Sequence, residues 1–352
     1  MSRNALKRNM PSFMKQKNMR RVLQALTPLL FVCIYYFGWR VLAILTVSLL
    51  SGLITEWIMA SRRGGRISYA CFVTCALYGL SLSVTVPLWI VAVGAVVAIL
   101  FGKEVFGGFG KNVFNPAIVG RGFVFVCFPV EITSRYVPVF RGFPGGFAHW
   151  SMATMKRLPE YLQETGLSPA DAVTAATPMA ARLDHGIDTS FSTLMTGNIG
   201  GWFDVDGMPR ILAAGSNIEV GGLFFLLAAV YLIATGTSNW RLTLGTLSGA
   251  LGLSLLLRYL FGIEAVPPPG FTFATGALLF ASVFMVTDPV SAPKHHGAQW
   301  VYAILIGCLI VFFRYRSIFT GGVVFSILFG NMLSPTLDRW FKRRSSPGGT
   351  AA

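Results

Sequence analysis

Ten apolar runs, separated by short polar segments, constrain this sequence most. A helix needs about 20 apolar residues to cross a bilayer, so runs of this number and length predict a polytopic α-helical membrane protein. Several runs are short and have Gly or Pro near their ends, which is tolerated where a broken helix is buried or lines a polar cavity. The predicted spans are Val22–Trp39, Val41–Met59, Ser68–Val84, Trp89–Phe101, Pro116–Val130, Gly222–Ala234, Leu242–Tyr259, Phe271–Val286, Val301–Phe313 and Gly321–Leu333.

The composition agrees with a membrane protein rather than a soluble enzyme. Only 12% of the residues are charged, against about 25% in soluble domains. The five cysteines lie in or beside apolar runs without disulfide or metal-site spacing, and the four histidines show no metal-ligand spacing. Phosphate-binding and dinucleotide-binding motifs are also missing. We therefore expect no metal site and assign no catalytic residue.

The net charge of +15 raises the question of a nucleic-acid partner, and its distribution argues against one. Residues 131–210 hold eight acidic and six basic residues, so the excess of positive charge lies elsewhere. It is concentrated in short segments between apolar runs, where lysine and arginine set membrane orientation. No nucleic-acid partner is expected.

The same basic residues predict the orientation of the chain. If the N-terminus is cytoplasmic, the short outside loops contain only Arg40, Arg258, Arg314 and Arg316, and most other basic residues face the cytoplasm. Both termini are then cytoplasmic. The predicted organisation is a basic tail at 1–21, a five-helix half at 22–130, an extracytoplasmic loop at 131–221, a second five-helix half at 222–337 and a basic tail at 338–352.

Short matches at a spacing of 201 residues predict an internal duplication that would relate the two halves. Trp39-Arg40 recurs as Trp240-Arg241, and Thr74-Cys-Ala-Leu recurs as Thr275-Gly-Ala-Leu. An odd number of spans in each half would give the halves opposite topology, and inverted repeats usually place broken helices and the functional site between them. Chance similarity among apolar helices explains these few matches equally well.

Three acidic residues lie in or beside the predicted spans. Glu56 is near the inner end of the second span, Asp288 lies beside Pro289 after the eighth span, and Asp338 follows Pro335. Ionisable groups in spans often mark an ion or proton path. An interfacial ion pair of Glu56 with Arg62 or Arg63 is the alternative for that residue, and ordinary helix ends explain the other two.

A glycine-rich and aromatic stretch, FGKEVFGGFGKNVFNPAIVGR from Phe101, is the most informative segment. Its glycines allow close approach of the backbone to a flat ligand, and its phenylalanines could stack on one. Asn112 and Asn115 offer hydrogen-bond donors and acceptors, and Pro116 begins a helix with free N–H groups. The pattern by itself favours a re-entrant structural loop over a cofactor site.

Four motifs together resemble one family. Asp171-Ala-Val-Thr-Ala-Ala-Thr177 resembles a flavin-attachment motif, Asp-x-x-Ser/Thr-small-Ala-Thr. The stretch from Phe101, FMVTDPVSAP and GNMLSPTLDRW resemble the same family, in its order. The family is that of the NqrB and RnfD membrane subunits of the sodium-translocating NADH:quinone reductase and the Rnf complex. The resemblance extends from about Glu56 to Asp338 and leaves the assignment between the two complexes open.

The resemblance implies cofactors and partners. The family has ten helices, and the last threonine of its motif, here Thr177 with Asp171 and Thr174 before it, carries FMN through a phosphoester bond outside the membrane. The family also binds riboflavin near the cytoplasmic face, for which the stretch from Asn112 through Asn115 to Pro116 is the candidate lining. Expected partners are the other subunits of the complex, including an extracytoplasmic FMN-carrying subunit, and a flavin transferase. The expected location is the bacterial inner membrane.

These expectations describe a membrane subunit that passes electrons from covalent FMN across the membrane, coupled to Na⁺ or H⁺ movement at carboxylates such as Glu56, Asp288 and Asp338. A non-redox transporter or channel with an inverted repeat is the alternative, because ten spans in two halves fit that class as well. A flavoprotein that transfers electrons without pumping is a third.

Overall fold

The structure, a computed structural model, describes residues 13–155, 160–163, 176–205, 207–316 and 322–345 and is mostly helical. Its helices before the predicted outer segment are α1 Lys17–Phe37, α2 Arg40–Arg63, α3 Tyr69–Leu80, α4 Leu88–Ile99 and α5 Pro116–Cys127. Short helices follow: α6 Pro129–Thr133, α7 Glu160–Gln163, α8 Pro178–His185 and α9 Phe191–Thr196. The remainder are α10 Gly222–Ala234, α11 Trp240–Leu255, α12 Pro269–Ala274, α13 Leu278–Phe280, α14 His296–Arg316 and α15 Gly322–Ser345.

Each predicted span coincides with one or more of these helices. Three helices continue as π-helical turns, α4 into Leu100–Glu104, α11 into Leu256–Leu260 and α13 into Ala281–Met285. In the described part of the chain, three helical stretches are long and apolar enough to cross a membrane: Arg40–Arg63, Trp240–Leu260 and His296–Arg316. A helical membrane protein is therefore supported, and the number of ten spans stays a prediction.

Local sequence signals explain several helix boundaries. Asn115 caps α5 by accepting the N–H of Ala117 at 3.0 Å, and Pro116 occupies the first helical position. At its C-terminus, α2 ends at Gly64, which has the left-handed conformation with φ 67°. Pro335 lies inside α15 and cannot donate a backbone hydrogen bond to the carbonyl of Asn331.

Helix packing follows a similar order in the two halves. In the first half α2 packs on α4 and α4 on α5; in the second half α11 packs on α14 and α14 on α15. The first helices of the halves, α1 and α10, contact each other, and so do the last, α5 and α15. The third helix of the first half, α3, is continuous, whereas its counterpart in the second half is divided into α12 and α13. This order is what an internal duplication would produce, which stays a prediction.

Two small sheets correct the all-α expectation. β1 (Phe13–Met14) pairs in parallel with β2 (Ile67–Ser68), and β3 (Trp202–Val205) forms an antiparallel hairpin with β4 (Met208–Ile211). The hairpin lies in the segment 131–221, which packs on the end of α1 and the start of α2 through hydrogen bonds such as that from the Trp39 N–H to the His149 carbonyl at 3.1 Å.

Candidate functional site

A buried ion pair joins α2 to the turn after α4. Glu56 and Lys103 have exposed side-chain fractions of 1% and 2%, and Lys103 Nζ lies 2.7 Å from Glu56 Oε2. Ser68 donates its N–H and its hydroxyl to Glu56 Oε1 at 2.8 and 3.0 Å. Lys103 Nζ also donates to Ser68 Oγ at 2.6 Å. The carboxylate is thus surrounded by donors, as a buried charge requires.

This arrangement differs from the alternative considered for Glu56, a surface pair with Arg62 or Arg63. Arg63 pairs instead with the neighbouring carboxylate of Glu104 at 2.8 Å. The alternative is wrong because Lys103 approaches Glu56 from another helix, and a lysine so far along the chain carries no local pattern that pairs it with Glu56. The sequence does signal Lys103 itself, a cation directly after an apolar run.

Lys103 also borders a cavity between the two halves that is lined by both polar and apolar side chains. The cavity has about 70 Å³ available to the centres of water molecules, which is room for several of them. With its open mouth it contains about 720 Å³ of empty space. Of the predicted site residues, Asn112, Asn115, Pro116 and Asp288 line it. The other lining residues include Asn18, Met19, Val22, Thr74, Phe109, Leu232, Thr237, Ser238, Phe284 and Thr287.

Asn115 holds the cavity wall to the second half. Its backbone N–H donates to Asn331 Oδ1 at 2.9 Å, and its side-chain amide donates to the Met285 carbonyl at 3.1 Å. Asn331 in turn donates to the Tyr302 hydroxyl at 2.7 Å. Asn112 is fixed locally, through a hydrogen bond from its amide to the Phe114 carbonyl at 3.0 Å. The predicted loop is therefore both a structural junction and a cavity wall.

The two other predicted carboxylates lie in different surroundings. Asp288 lines the cavity and accepts hydrogen bonds from Ser291 Oγ at 2.8 Å and from the Val290 N–H at 3.2 Å. Burial raises the pKa of Asp288, while these donors and Lys294 act in the opposite direction. Asp338 is not a lining residue; it accepts the backbone N–H groups of Lys294 and His295 just before α14.

Thr177 begins α8. Its hydroxyl oxygen accepts the N–H of Ala180 at 3.2 Å, and Pro178 occupies the first position of the helix. The preceding residue, Ala176, pairs with the strand end at Leu212, which fixes where α8 starts. The Thr177 side chain is partly exposed. Asp171 and Thr174 lie outside the described residues.

Thr177 and the cavity lie at opposite ends of the helix bundle. A Cβ built on Gly215, which precedes α10, would lie 3.0 Å from Thr177 Cγ2. Leu232 at the other end of α10 lines the cavity, as do Thr237 and Ser238 beyond it. The 13 residues of α10 extend about 20 Å at 1.5 Å per residue. The two predicted cofactor positions are thus separated by roughly that length of α10.

A carboxylate that the sequence did not single out, that of Glu219, lies near Thr177. Glu219 lies in a 3₁₀ turn, Asn217–Glu219, just before α10, and accepts the Gly215 N–H at 3.0 Å and the Ser216 hydroxyl at 3.2 Å. The available signal was an acidic residue directly before an apolar run. Such residues are usually solvated, so the signal is weak.

Comparison with known proteins assigns the family. The model of the NQR2, RnfD, RnfE family matches residues 11–346. The chain is 32% identical to a subunit of the ion-translocating oxidoreductase complex of Alcanivorax borkumensis, over 94% of both chains. It is 31% identical to a subunit of the Na(+)-translocating NADH-quinone reductase of Ectopseudomonas mendocina, over 85% of this chain and 66% of that one. This chain therefore spans just under two thirds of the quinone-reductase protein. It belongs to the NQR2, RnfD, RnfE family.

Proposed function

We propose that this chain is the flavin-carrying membrane subunit of an ion-translocating electron-transport complex, of either the Rnf or the sodium-translocating NADH:quinone reductase type. Relatives bear the names of subunits of such complexes. In this proposal electrons reach FMN on Thr177, cross the bundle to a second flavin, and drive movement of Na⁺ or H⁺.

The setting of Thr177 supports covalent FMN. A phosphoester on its hydroxyl would lie at the N-terminus of α8, where the free N–H groups and the helix dipole favour negative charge. The partly exposed side chain is accessible to a flavin transferase. When bound, FMN supplies one- and two-electron redox chemistry, and the chain contributes the anchoring oxygen and the helix terminus.

The cavity at the other end is our candidate for riboflavin. Its lining offers Asn112 and Asn115, the ring of Phe109 and the ammonium group of Lys103. Amide donors and a cation fit the carbonyl oxygens of a flat heterocycle, and an aromatic ring can stack on its face. The chain would orient such a ligand between its two halves.

The proposed coupling groups are Glu56, Asp288 and Asp338. Asp288 lines the cavity, and Glu56 reaches it through Lys103. Asp338 lies outside the lining and holds the start of α14, so its contribution would act through that helix. Moving one charge against 100 mV costs about 2.3 kcal/mol.

The proposal includes the membrane topology and the assembly. Ten spans in two inverted halves, both termini in the cytoplasm and Thr177 outside the bacterial inner membrane fit the opposite positions of Thr177 and the cavity. Partners would be the other membrane and peripheral subunits, including an extracytoplasmic FMN-carrying subunit.

In-gel flavin fluorescence of the denatured chain tests the central claim. From a host with the flavin transferase, we expect a fluorescent band that disappears in Thr177→Ala. Ser190→Ala is the matched control, because Ser190 caps the neighbouring helix α9 in the same way and should leave the band intact. A wild-type band without flavin fluorescence would favour the non-redox transporter or channel.

Ion uptake tests the coupling claim separately. We expect Glu56→Gln and Asp288→Asn to reduce electron-driven uptake into vesicles while the fluorescent band remains, and Asp338→Asn to have a smaller effect. Normal uptake by all three variants would mean that other residues couple the ion. Electron transfer without any uptake in the wild type would favour the flavoprotein that does not pump.

A further inference from the structure

Glu219 is a half-buried carboxylate that the proposed electron path does not use. Its oxygens accept hydrogen bonds from two groups nearby in sequence, the backbone N–H of Gly215 and the hydroxyl of Ser216. Burial raises the pKa of Glu219, and these two hydrogen bonds oppose the increase. A carboxyl group placed in this way can change its protonation state when the nearby charge changes.

Cations from both halves of the molecule act on Glu219. Arg121 from α5 and Arg314 from the end of α14 both favour its ionised form. Arg314 is fixed where α12 ends, through hydrogen bonds to the carbonyls of Thr272 and Thr275 at 3.3 and 3.1 Å. Tyr136 and Tyr78 act electrostatically on Arg121, and Tyr315 acts on Arg314, so the groups linked to Glu219 in this way are two cations and three phenols.

Glu219 is also a close neighbour of the predicted flavin attachment site. A Cβ built on Gly215 would lie 2.8 Å from Glu219 Oε1 and 3.0 Å from Thr177 Cγ2. The two side chains therefore approach the same point next to Gly215. A glycine at 215 leaves the space that both occupy.

The opposite end of the bundle has a similar arrangement. There the buried carboxylate of Glu56 is paired with Lys103, which lines the cavity. Each predicted cofactor position thus has a nearby carboxylate under the influence of a cation. In a medium of low dielectric constant, an electron added nearby is stabilised when a proton neutralises a carboxylate.

We propose that Glu219 takes up a proton from the water at its end of the bundle when the flavin carried by Thr177 gains an electron. This inference rests on the proposed function. The electron comes from a reduced electron carrier, and the proton forms an O–H bond with a carboxylate oxygen of Glu219. When the electron leaves, that bond breaks and the proton returns to water, so charge and atoms balance.

Infrared difference spectroscopy of the purified complex tests the proposal. Between the oxidised protein and the dithionite-reduced protein, we expect a carboxylic-acid C=O band that appears on reduction and shifts in D₂O. The band should be lost in Glu219→Gln and kept in Glu264→Gln, a control with an exposed carboxylate in the loop before α12. Persistence of the band in Glu219→Gln would overturn the proposal.

Ser216→Ala keeps the carboxylate and gives a second test. Because the Ser216 hydroxyl lowers the pKa of Glu219, its removal raises that pKa, and the reduction-induced C=O band should persist to a higher pH than in the wild type. An unchanged pH dependence would count against the proposal.

In-gel fluorescence distinguishes failure of this inference from failure of the proposed function. A fluorescent wild-type chain with no Glu219-dependent band contradicts only this inference. A wild-type chain without covalent flavin overturns it together with the proposed function.

Discussion

Glu56 and Lys103 show how a largely apolar chain accommodates two buried charges. Each would be costly inside the bundle without a partner. The two form an ion pair, and Ser68 donates hydrogen bonds to Glu56 and accepts one from Lys103. The pair depends on contacts between α2, β2 and the turn after α4. Its stability is thus a property of individual side chains brought together by three elements.

Removal of one member should therefore leave the other unsatisfied. We expect Lys103→Met to lower the free energy of unfolding by about 3–5 kcal/mol, because Glu56 would remain buried without its cation. Denaturant unfolding in micelles measures this. Lys111→Met, at an exposed lysine of the same loop, should have little effect, and the Glu56→Gln/Lys103→Met double variant should lose less than the sum of the single variants. A Lys103→Met chain as stable as the wild type would contradict the pair.

The raised pKa of Asp288 predicts how the free energy of unfolding changes with pH. Because burial raises its pKa, the folded chain binds this proton more tightly than the unfolded chain does. The free energy of unfolding should therefore fall as pH increases through the raised pKa, by at most about 1.4 kcal/mol per pH unit. Asp288→Asn should flatten this decrease. Thermal unfolding of both chains across the acidic to neutral range measures it, and parallel profiles would contradict it.

At the scale of elements, α11 and α14 approach each other at glycines. A Cβ on Gly249 would lie 2.3 Å from the Ile304 carbonyl oxygen, and a Cβ on Gly307 would lie 2.1 Å from the Thr246 carbonyl oxygen. Small residues are typical where helices of membrane proteins pack closely. Here the obstacle is backbone, which cannot move aside as a flexible side chain can.

Two alanine substitutions on α11 test this contact. Gly249→Ala should destabilise the protein by about 1–3 kcal/mol, because the helices must separate to admit the methyl group. Gly252→Ala is the matched control on the same helix; its Cβ would have no neighbour within 4 Å. That substitution should be neutral or stabilise by up to about 1 kcal/mol through helix propensity. Equal effects of the two would argue against close packing.

At the scale of the whole molecule, the two predicted cofactor positions lie at opposite ends of the bundle. Thr177 lies beside the segment before α10, and the cavity lies beyond the other end of that helix. In the proposed function the Thr177 position would carry an attached group, whereas the position at the other end is a lined cavity. If the bundle crosses a membrane in the predicted orientation, electrons would enter and leave on different sides.

Cysteine labelling in intact cells checks this orientation. On a Cys127→Ala background, Phe143→Cys in the outer segment should react with a membrane-impermeant thiol reagent, because Phe143 is 96% exposed. Lys111→Cys, in the loop that borders the cavity, should react only after permeabilisation. The opposite result would invert the topology and place Thr177 in the cytoplasm.

The sequence determined those features that depend on neighbours along the chain. Apolar runs located the helices, since the backbone hydrogen bonds of a helix are local. Asn115 with Pro116 marked the start of α5, because capping depends on residues only a few positions apart. Family motifs, read from the same local stretches, indicated the family that the comparisons confirm.

Only the tertiary structure decided which distant groups meet. The pairing of Glu56 with Lys103, the hydrogen bond from Asn115 to Asn331, and the place of Glu219 beside Thr177 each join segments far apart in sequence. Burial and the charges around a carboxylate depend on how all the helices pack. No local pattern records that packing, so these partners and the cavity became visible only in the folded chain.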